Sequence, residues 1–300
     1  MSSAREMRLR IRSIKNIGQV TRALQAVAAS KVKKATTAAA ASTPYAAKAW
    51  QVLVHLAEQP GHDSLHPLLS ERKEIKNTLV VVMTSDRGLA GASNVNVVRE
   101  VLQYFRRDEH SISYVTVGRK GRDMLVRRRR NVIAEFSKLP SPPSFADTSA
   151  IGYLLVNEFL EGHYDEVYLA YNKFVNMIIQ QPVVRKILPL QFDEEGSTDL
   201  AFKPPPLQTS SVFAYEPSQN EILDEIVPRF TALQVYQSIL SAQASEHAAR
   251  MIAMRNATDN ANELAIALQL EYNKARQQTI TNDLLDISSG AEALAQAEKA

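Results

Sequence analysis

Residues Thr84 to Asn94 read TSDRGLAGASN and link an apolar run, LVVVM, to the helical spacing of VNVVREVLQYF. A glycine-bearing turn between a strand and a helix is where many α/β proteins hold a phosphate, because the free N–H groups of a helix start attract anions. The residues do not complete that chemistry. A P-loop needs G-x-x-x-x-G-K-[ST], with a lysine to reach the phosphates, whereas Gly88 and Gly91 stand too close together and no lysine follows them. A dinucleotide fingerprint needs G-x-G-x-x-G, which Gly88-Leu89-Ala90-Gly91 does not supply. The expectation is a structural turn built on Asp86, Arg87, Gly88 and Gly91, with Ser93 or Asn94 capping the helix that follows.

Other reactive residue types give no catalytic set. The chain has no cysteine, which excludes disulfides, thiolate metal ligands and cysteine nucleophiles and suits a cytosolic protein. Of its six histidines only His62 and His66 are closely spaced, and they sit beside Pro60 and Pro67 in a loop-like stretch. His247 falls in a helical apolar seam, where a packed core histidine is the ordinary outcome. The run Arg127–Arg130 could touch phosphate but reads first as a charged helix end. No Ser-His-Asp order and no paired carboxylates appear, so no catalytic residue, no cofactor and no metal site is expected.

The elements that would position such residues are more unusual. From Arg229 to Ser289 there is no proline and no glycine. Within that tract Phe230, Leu233, Gln237, Leu240, Ala244, His247, Met251, Met254, Thr258, Ala261, Ala265, Leu268, Tyr272, Ala275 and Thr279 follow alternating steps of three and four, a heptad seam. Some 60–70 helical residues make a rod of roughly 90–105 Å. The head repeats the spacing through Met7, Ile11, Ile14, Gly18, Thr21, Gln25, Ala28, Val32, Ala35, Ala39 and Ser42, with a second stripe of Ile14, Ile17, Leu24 and Val27 beside it. Such a seam is too poor in leucine for a zipper homodimer, but its small residues permit close approach of another helix. Between the ends, strand-like LVVVM, ISYVTVG, NVIAEF and DEVYLAYN alternate with helical Val95–Phe105, Lys120–Arg128 and Ile151–Leu160, and PVVRKILPL reads as an edge strand. The expected fold is α/β. A Rossmann-like, mainly parallel sheet domain at 75–210 is inserted between two terminal helices, 1–58 and 211–300, that form an antiparallel coiled coil.

Charge adds a constraint. The net charge is only +3, yet residues 1–34 carry nine bases against the single acid Glu6, and residues 219–300 carry eleven acids against six bases. A basic arm suits nucleic acid or an acidic partner. A nucleic-acid binder or a coiled-coil scaffold with an α/β domain is therefore one alternative, weakened by the lack of aromatic interleaving. A nucleotide-binding α/β enzyme is another, weakened by the incomplete phosphate motif. The longest apolar run is far short of the roughly 18 residues a membrane helix needs, and MSSAREMRLRIRSIKN has no signal-peptide core.

Four stretches carry a family resemblance that covers essentially the whole chain. The head IRSIKNIGQVTRALQAVAASKVKKA, the turn SDRGLAGASN, the strand YNKFVN and the tail SEHAARMIAMRNATDNANEL…YNKARQQTITNDLLDISSGAEAL resemble the gamma subunit of F-type ATP synthase. Ala90 replaces the family's cysteine in the turn and Leu24 its usual head methionine, and the cysteine-bearing regulatory insertion of chloroplast members is missing. The resemblance implies a central-stalk rotor: a non-catalytic subunit of a proton-transporting ATP synthase complex. Its end helices would turn inside a hexamer of alpha and beta subunits, and its α/β domain would meet the epsilon subunit and the ring of c subunits. Nucleic acid is then not a partner, and the expected location is peripheral, on the cytoplasmic side of a bacterial inner membrane. By the same resemblance Lys31, Lys33 and Lys34 match positions facing acidic beta loops, Arg276, Gln277 and Thr281 match polar contacts with a beta loop, and Arg250 matches a coupling-sensitive position.

Overall fold

A computed structural model describes residues 4–57, 67–72, 74–107, 110–190 and 219–297. The histidine pair His62 and His66 and most of the two polar connections lie outside the described residues. Two compact units emerge: residues 27–252, and residues 1–26 together with 253–300. Helices α1 (Ala4–Ala57) and α5 (Gln219–Ala297) each run through both.

In the larger unit a five-stranded sheet has the order β3-β2-β1-β4-β5, with β1 at Asn77–Met83, β2 at Ser111–Val117, β3 at Asn131–Phe136, β4 at Glu166–Phe174 and β5 at Gln180–Leu188. All pairings are parallel except β4–β5. The unbroken apolar runs follow from burial of both faces, as parallel sheets require. Alternate residues of β1 divide accordingly. Val80 and Val82 pack with Val97, Val98 and Val101 of α2 (Ser93–Tyr104) and Leu125 of α3 (Arg119–Val126). Leu79, Val81 and Met83 pack with α4 (Phe145–Leu160) and with stretches of α1 and α5. The terminal helices are thus one layer of the α/β sandwich here.

Several boundaries differ from expectation. Helix α4 starts six residues before Ile151, because Ser144 and Asp147 form a reciprocal capping box. Strand β5 contains Pro182, tolerated because the strand lies at the sheet edge. Proline does not stop either long helix: α1 continues through Pro44 and α5 starts ahead of Pro228. Proline inside a helix costs about 3 kcal/mol, and burial of Ala46, Trp50, Val227 and Phe230 around the two sites offsets it. The Trp50 and Phe230 rings lie 5.7 Å apart, joining α1 to α5. Helix α4 approaches α5 so closely that a Cβ on Gly152 would fall 2.5 Å from the Ala232 Cα.

In the smaller unit the two helices pair through the seam the spacing predicts as far as Ala275, whereas Thr279, its last residue, is exposed. Gly18 faces Ala261, and the Thr21 and Thr258 hydroxyls share a buried 2.7 Å hydrogen bond. The partner number falls as the chain rises, and it does so again at Ser42–Gln237 and Trp50–Phe230 in the larger unit, so the pair is antiparallel in both. Of the second stripe of α1, Ile17, Leu24 and Val27 are exposed and Ile14 is partly covered.

Candidate functional site

The turn after β1 sits at the carboxyl ends of the parallel strands, beside the point where the strand order reverses. That is where open α/β sheets hold ligands. The first N–H groups of α3 are already taken: Arg119 donates to Asp86 Oδ1 (3.1 Å), Lys120 to the Ser85 carbonyl (3.1 Å) and Gly121 to Thr84 Oγ1 (2.8 Å). Asp86 Oδ2 also accepts the Lys138 N–H at 2.8 Å, so one carboxylate clasps the loops after β2 and β3. The carboxyl end of β4 is spent on α5. Ser245 Oγ donates to the Asn172 carbonyl (2.8 Å), and the Phe174 N–H donates to Ser241 Oγ (3.0 Å).

Within the turn the backbone demands differ from those the glycines suggest. Gly91 has φ +57 and needs its freedom. Gly88 has no such conformation, and a Cβ there would meet open space. Leu89 takes the left-handed conformation instead, with φ 65 and an exposed side chain. Neither Ser93 nor Asn94 caps α2, whose first residue follows Ala92 without a side-chain cap. Asn94 is diverted: its Oδ1 accepts the Ser85 N–H (2.9 Å) and its Nδ2 donates to Ser85 Oγ (2.8 Å). Ser93 Oγ accepts from Asn172 Nδ2 (2.8 Å), tying the turn to β4.

A cavity of about 340 Å³ remains over these loops, lined by Lys31, Asp86, Arg87, Lys138, Glu246, His247 and Arg250 among others. Arg250 is its hub. One guanidinium nitrogen lies 2.7 Å from Glu246 Oε1 and 3.3 Å from the Gly88 carbonyl, and the other lies 3.1 Å from His247 Nδ1. A guanidinium only donates, so His247 Nδ1 accepts and its Nε2–H donates to Ser141 Oγ at 2.8 Å. Burial, with Arg250 and Lys31 nearby, depresses the His247 pKa to about 4, so the imidazole is neutral at neutral pH. Burial raises the Glu246 pKa, with Arg250 opposing. The set locks α5 to the Asp86–Gly91 turn and to the loop after β3. Among the described residues no cluster of His, Asp or Glu could hold a metal.

The other sequence-singled residues fall in two places. Lys31, Lys33 and Lys34 lie with Arg250 in the larger unit, Lys31 partly covered and the other two exposed. Arg276, Gln277 and Thr281 lie in the smaller unit, all exposed, and Thr281 Oγ1 donates to the Gln277 carbonyl one turn back (2.9 Å). The structure does not bring the two groups together in one unit. Glu246, Ser141, Asn172 and Ser245 escaped the sequence reading. Glu246 carries a usable signal, since it precedes Arg250 by four residues, whereas the partners of the other three come from distant elements.

With this geometry in hand, comparisons with known proteins identify the family. The ATP synthase family model matches residues 3–294. The ATP synthase gamma chain of Roseiflexus castenholzii is 42% identical over 99% of this chain and 100% of its own length. That of Dehalococcoides mccartyi is 42% identical over 98% of this chain and 100% of its own. A chain in the cryo-EM structure of the Tetrahymena thermophila mitochondrial ATP synthase central stalk and c-ring aligns with a TM-score of 0.60 at 27% identity, covering 79% of this chain and 99% of that one. A chain of the Euglena gracilis mitochondrial ATP synthase aligns with a TM-score of 0.68 at 18% identity, over 99% and 96% of the two chains, and so shares the fold. The chain belongs to the ATP synthase gamma chain family.

Proposed function

We infer that this chain is the central-stalk rotor subunit of an F-type ATP synthase. It couples ion flow through a membrane ring to ATP synthesis or hydrolysis in a hexamer of alpha and beta subunits, by rotation, and has no active site of its own. The observation that carries this reading is α5 itself. It is 79 residues long, and its described residues 276–291 are all exposed, with Ile280, Leu284, Leu285 and Ile287 among them. A helix that offers aliphatic side chains on such a length meets a surface supplied by other chains. The tail of the rotor would turn inside the hexamer, and the α/β domain would meet the epsilon subunit and the c-ring. No helix among the described residues is long and apolar enough to cross a membrane. The reading therefore makes the chain peripheral, on the cytoplasmic side of a bacterial inner membrane.

Torque would cross the interface at Arg276 and Gln277, gripping a loop of one beta subunit, with Thr281 beside them. Adjacent helical residues project about 100° apart and can engage one loop from two sides. A fork of five donors suits a carboxylate. Burial of such a pairing contributes roughly 1.5–3 kcal/mol, against under about 1 for an exposed one, enough to favour one of three sites by about tenfold. Lys31, Lys33 and Lys34 would face acidic loops of the beta subunits, and Arg250 would hold α5 in register with the turn. Mixing the chain with alpha and beta subunits and assaying ATPase tests the reading. Assembly with a rise in cooperative turnover is expected, and a chain that neither co-purifies with the hexamer nor changes its turnover would sink it.

A further inference from the structure

The turn between α3 and β3 carries Arg127, Arg128, Arg129 and Arg130, all exposed. Residues 119–138 hold eight bases against two acids, Asp123 and Glu135. Arg122 takes both acids, at 2.7 and 2.6 Å, and Arg119 pairs with Asp86. No ion pair joins the four turn arginines to an acid among the described residues. Among the described residues their side chains make one hydrogen bond, from Arg128 to the Met124 carbonyl at 3.0 Å, and Asp123 lies near enough to Arg127 to feel its charge.

The turn is also fixed in shape. The Arg130 N–H bonds to the Leu125 carbonyl (3.1 Å) and the Arg129 N–H to that of Val126 (2.9 Å), the paired pattern that closes a helix through one left-handed residue. That residue is ordinarily glycine, yet here it is Arg129, with φ 56. A strained conformation held by arginine where glycine fits better points to a use for the charge. Exposed Val126 and Ile133 flank the run, and β3 is an edge strand, so the patch combines fixed cations with aliphatic surface at one edge of the sheet.

We propose that the Arg127–Arg130 turn is a docking surface for anionic phospholipid headgroups, with Val126 and Ile133 meeting the headgroup boundary. Basic residues beside aliphatic ones suit that surface, because each cation gains from the negative potential while the apolar groups leave water. Nucleic acid is less well matched, since the turn itself offers no aromatic side chain on which a base could stack. The proposal rests on the rotor reading, in which the chain works beside a membrane.

Vesicle flotation of the purified full chain tests it, with phosphatidylglycerol–phosphatidylcholine vesicles against phosphatidylcholine alone. Binding is expected only to the anionic vesicles, falling with salt. Arg127→Gln/Arg128→Gln/Arg130→Gln should weaken it by at least about tenfold, whereas Arg8→Gln/Arg12→Gln on α1 should leave it within about twofold. Equal binding by the triple variant, loss that instead follows the α1 pair, no binding at all, or displacement by RNA at an equal concentration of phosphate would each overturn the proposal. Circular dichroism checks that the variants are folded, and Arg129→Gly, which relaxes the backbone, supplies a second variant that should bind more weakly while folding at least as well. ATPase stimulation of alpha and beta subunits is measured alongside. Its loss in the wild-type chain sinks the rotor reading, and its retention with failed flotation sinks only the lipid surface.

Discussion

The same two helices live in two environments. In the larger unit α5 is buried on nearly every side from Val227 to Ala248, with Phe230, Ala232, Val235, Ile239 and Ala248 almost free of solvent contact. In the smaller unit only one stripe is covered, Met254, Thr258, Ala261 and Ala265, and Leu264, Ile266 and Leu270 next to it face water. A helix enclosed by its own chain is a core element, and its stability comes from area removed from water. A helix with a single narrow seam keeps most of its surface for something else. The difference teaches that the heptad spacing sets which side chains meet, while the surrounding layers decide how much stability each contributes.

Four perturbations break or sharpen that contrast, and Trp50 reports on it, since it is the sole tryptophan and lies in the larger unit. The largest effect is expected from Phe230→Ala, which empties the ring that packs on Trp50. It should cost about 3–5 kcal/mol, shift the tryptophan emission and lower the melting temperature of the larger unit. Unchanged emission and melting would mean that the enclosed stretch of α5 is not its core.

Ala265→Pro strikes the one-stripe region instead. It removes a backbone hydrogen bond and clashes with the preceding turn, costing about 3 kcal/mol or more. Helical signal and coupled turnover with alpha and beta subunits should fall while Trp50 emission stays as in the wild type. A parallel loss of both signals would show that the two regions do not fold separately.

Acid should act on the enclosed region through His247. Its pKa is about 4 in the folded chain against 6.5 for the free group. Between those values the unfolded chain binds a proton that the folded one refuses, so stability falls as pH drops through that window, by at most about 3 kcal/mol. Glu246, whose pKa is raised, works in the opposite sense and offsets part of the loss. His247→Gln should flatten the decline in melting temperature from pH 6.5 to 4.5, and an equal decline in the variant would remove His247 from the acid response.

The smallest effect on stability is expected at the exposed end. Arg276→Ala/Gln277→Ala should change the melting temperature negligibly, within about 0.5 kcal/mol, and leave assembly intact while cutting multi-site ATP turnover and ATP-driven pumping. Full turnover by an assembled double variant would move torque transfer to Lys31, Lys33 and Lys34.

The sequence by itself determined the seam. The three-four spacing from Phe230 to Ala275 matches the covered or partly covered residues of α5, because a helix has a fixed period and a partner can cover only one stripe. It also determined the parallel strands, whose unbroken apolar runs demand two covered faces. Tertiary structure alone decided the rest. Helices pass through Pro44 and Pro228 because packed neighbours outweigh a local cost of a few kcal/mol. Asn94 leaves the helix cap because Ser85 offers it a better partner across the turn. The Glu246–His247–Arg250 lock exists because Ser141 and the Gly88 carbonyl, over a hundred residues away in the chain, are folded against α5. Periodicity is a property of one segment and is written in that segment. Hydrogen-bond partners are supplied by other segments, so they are settled only when the layers close.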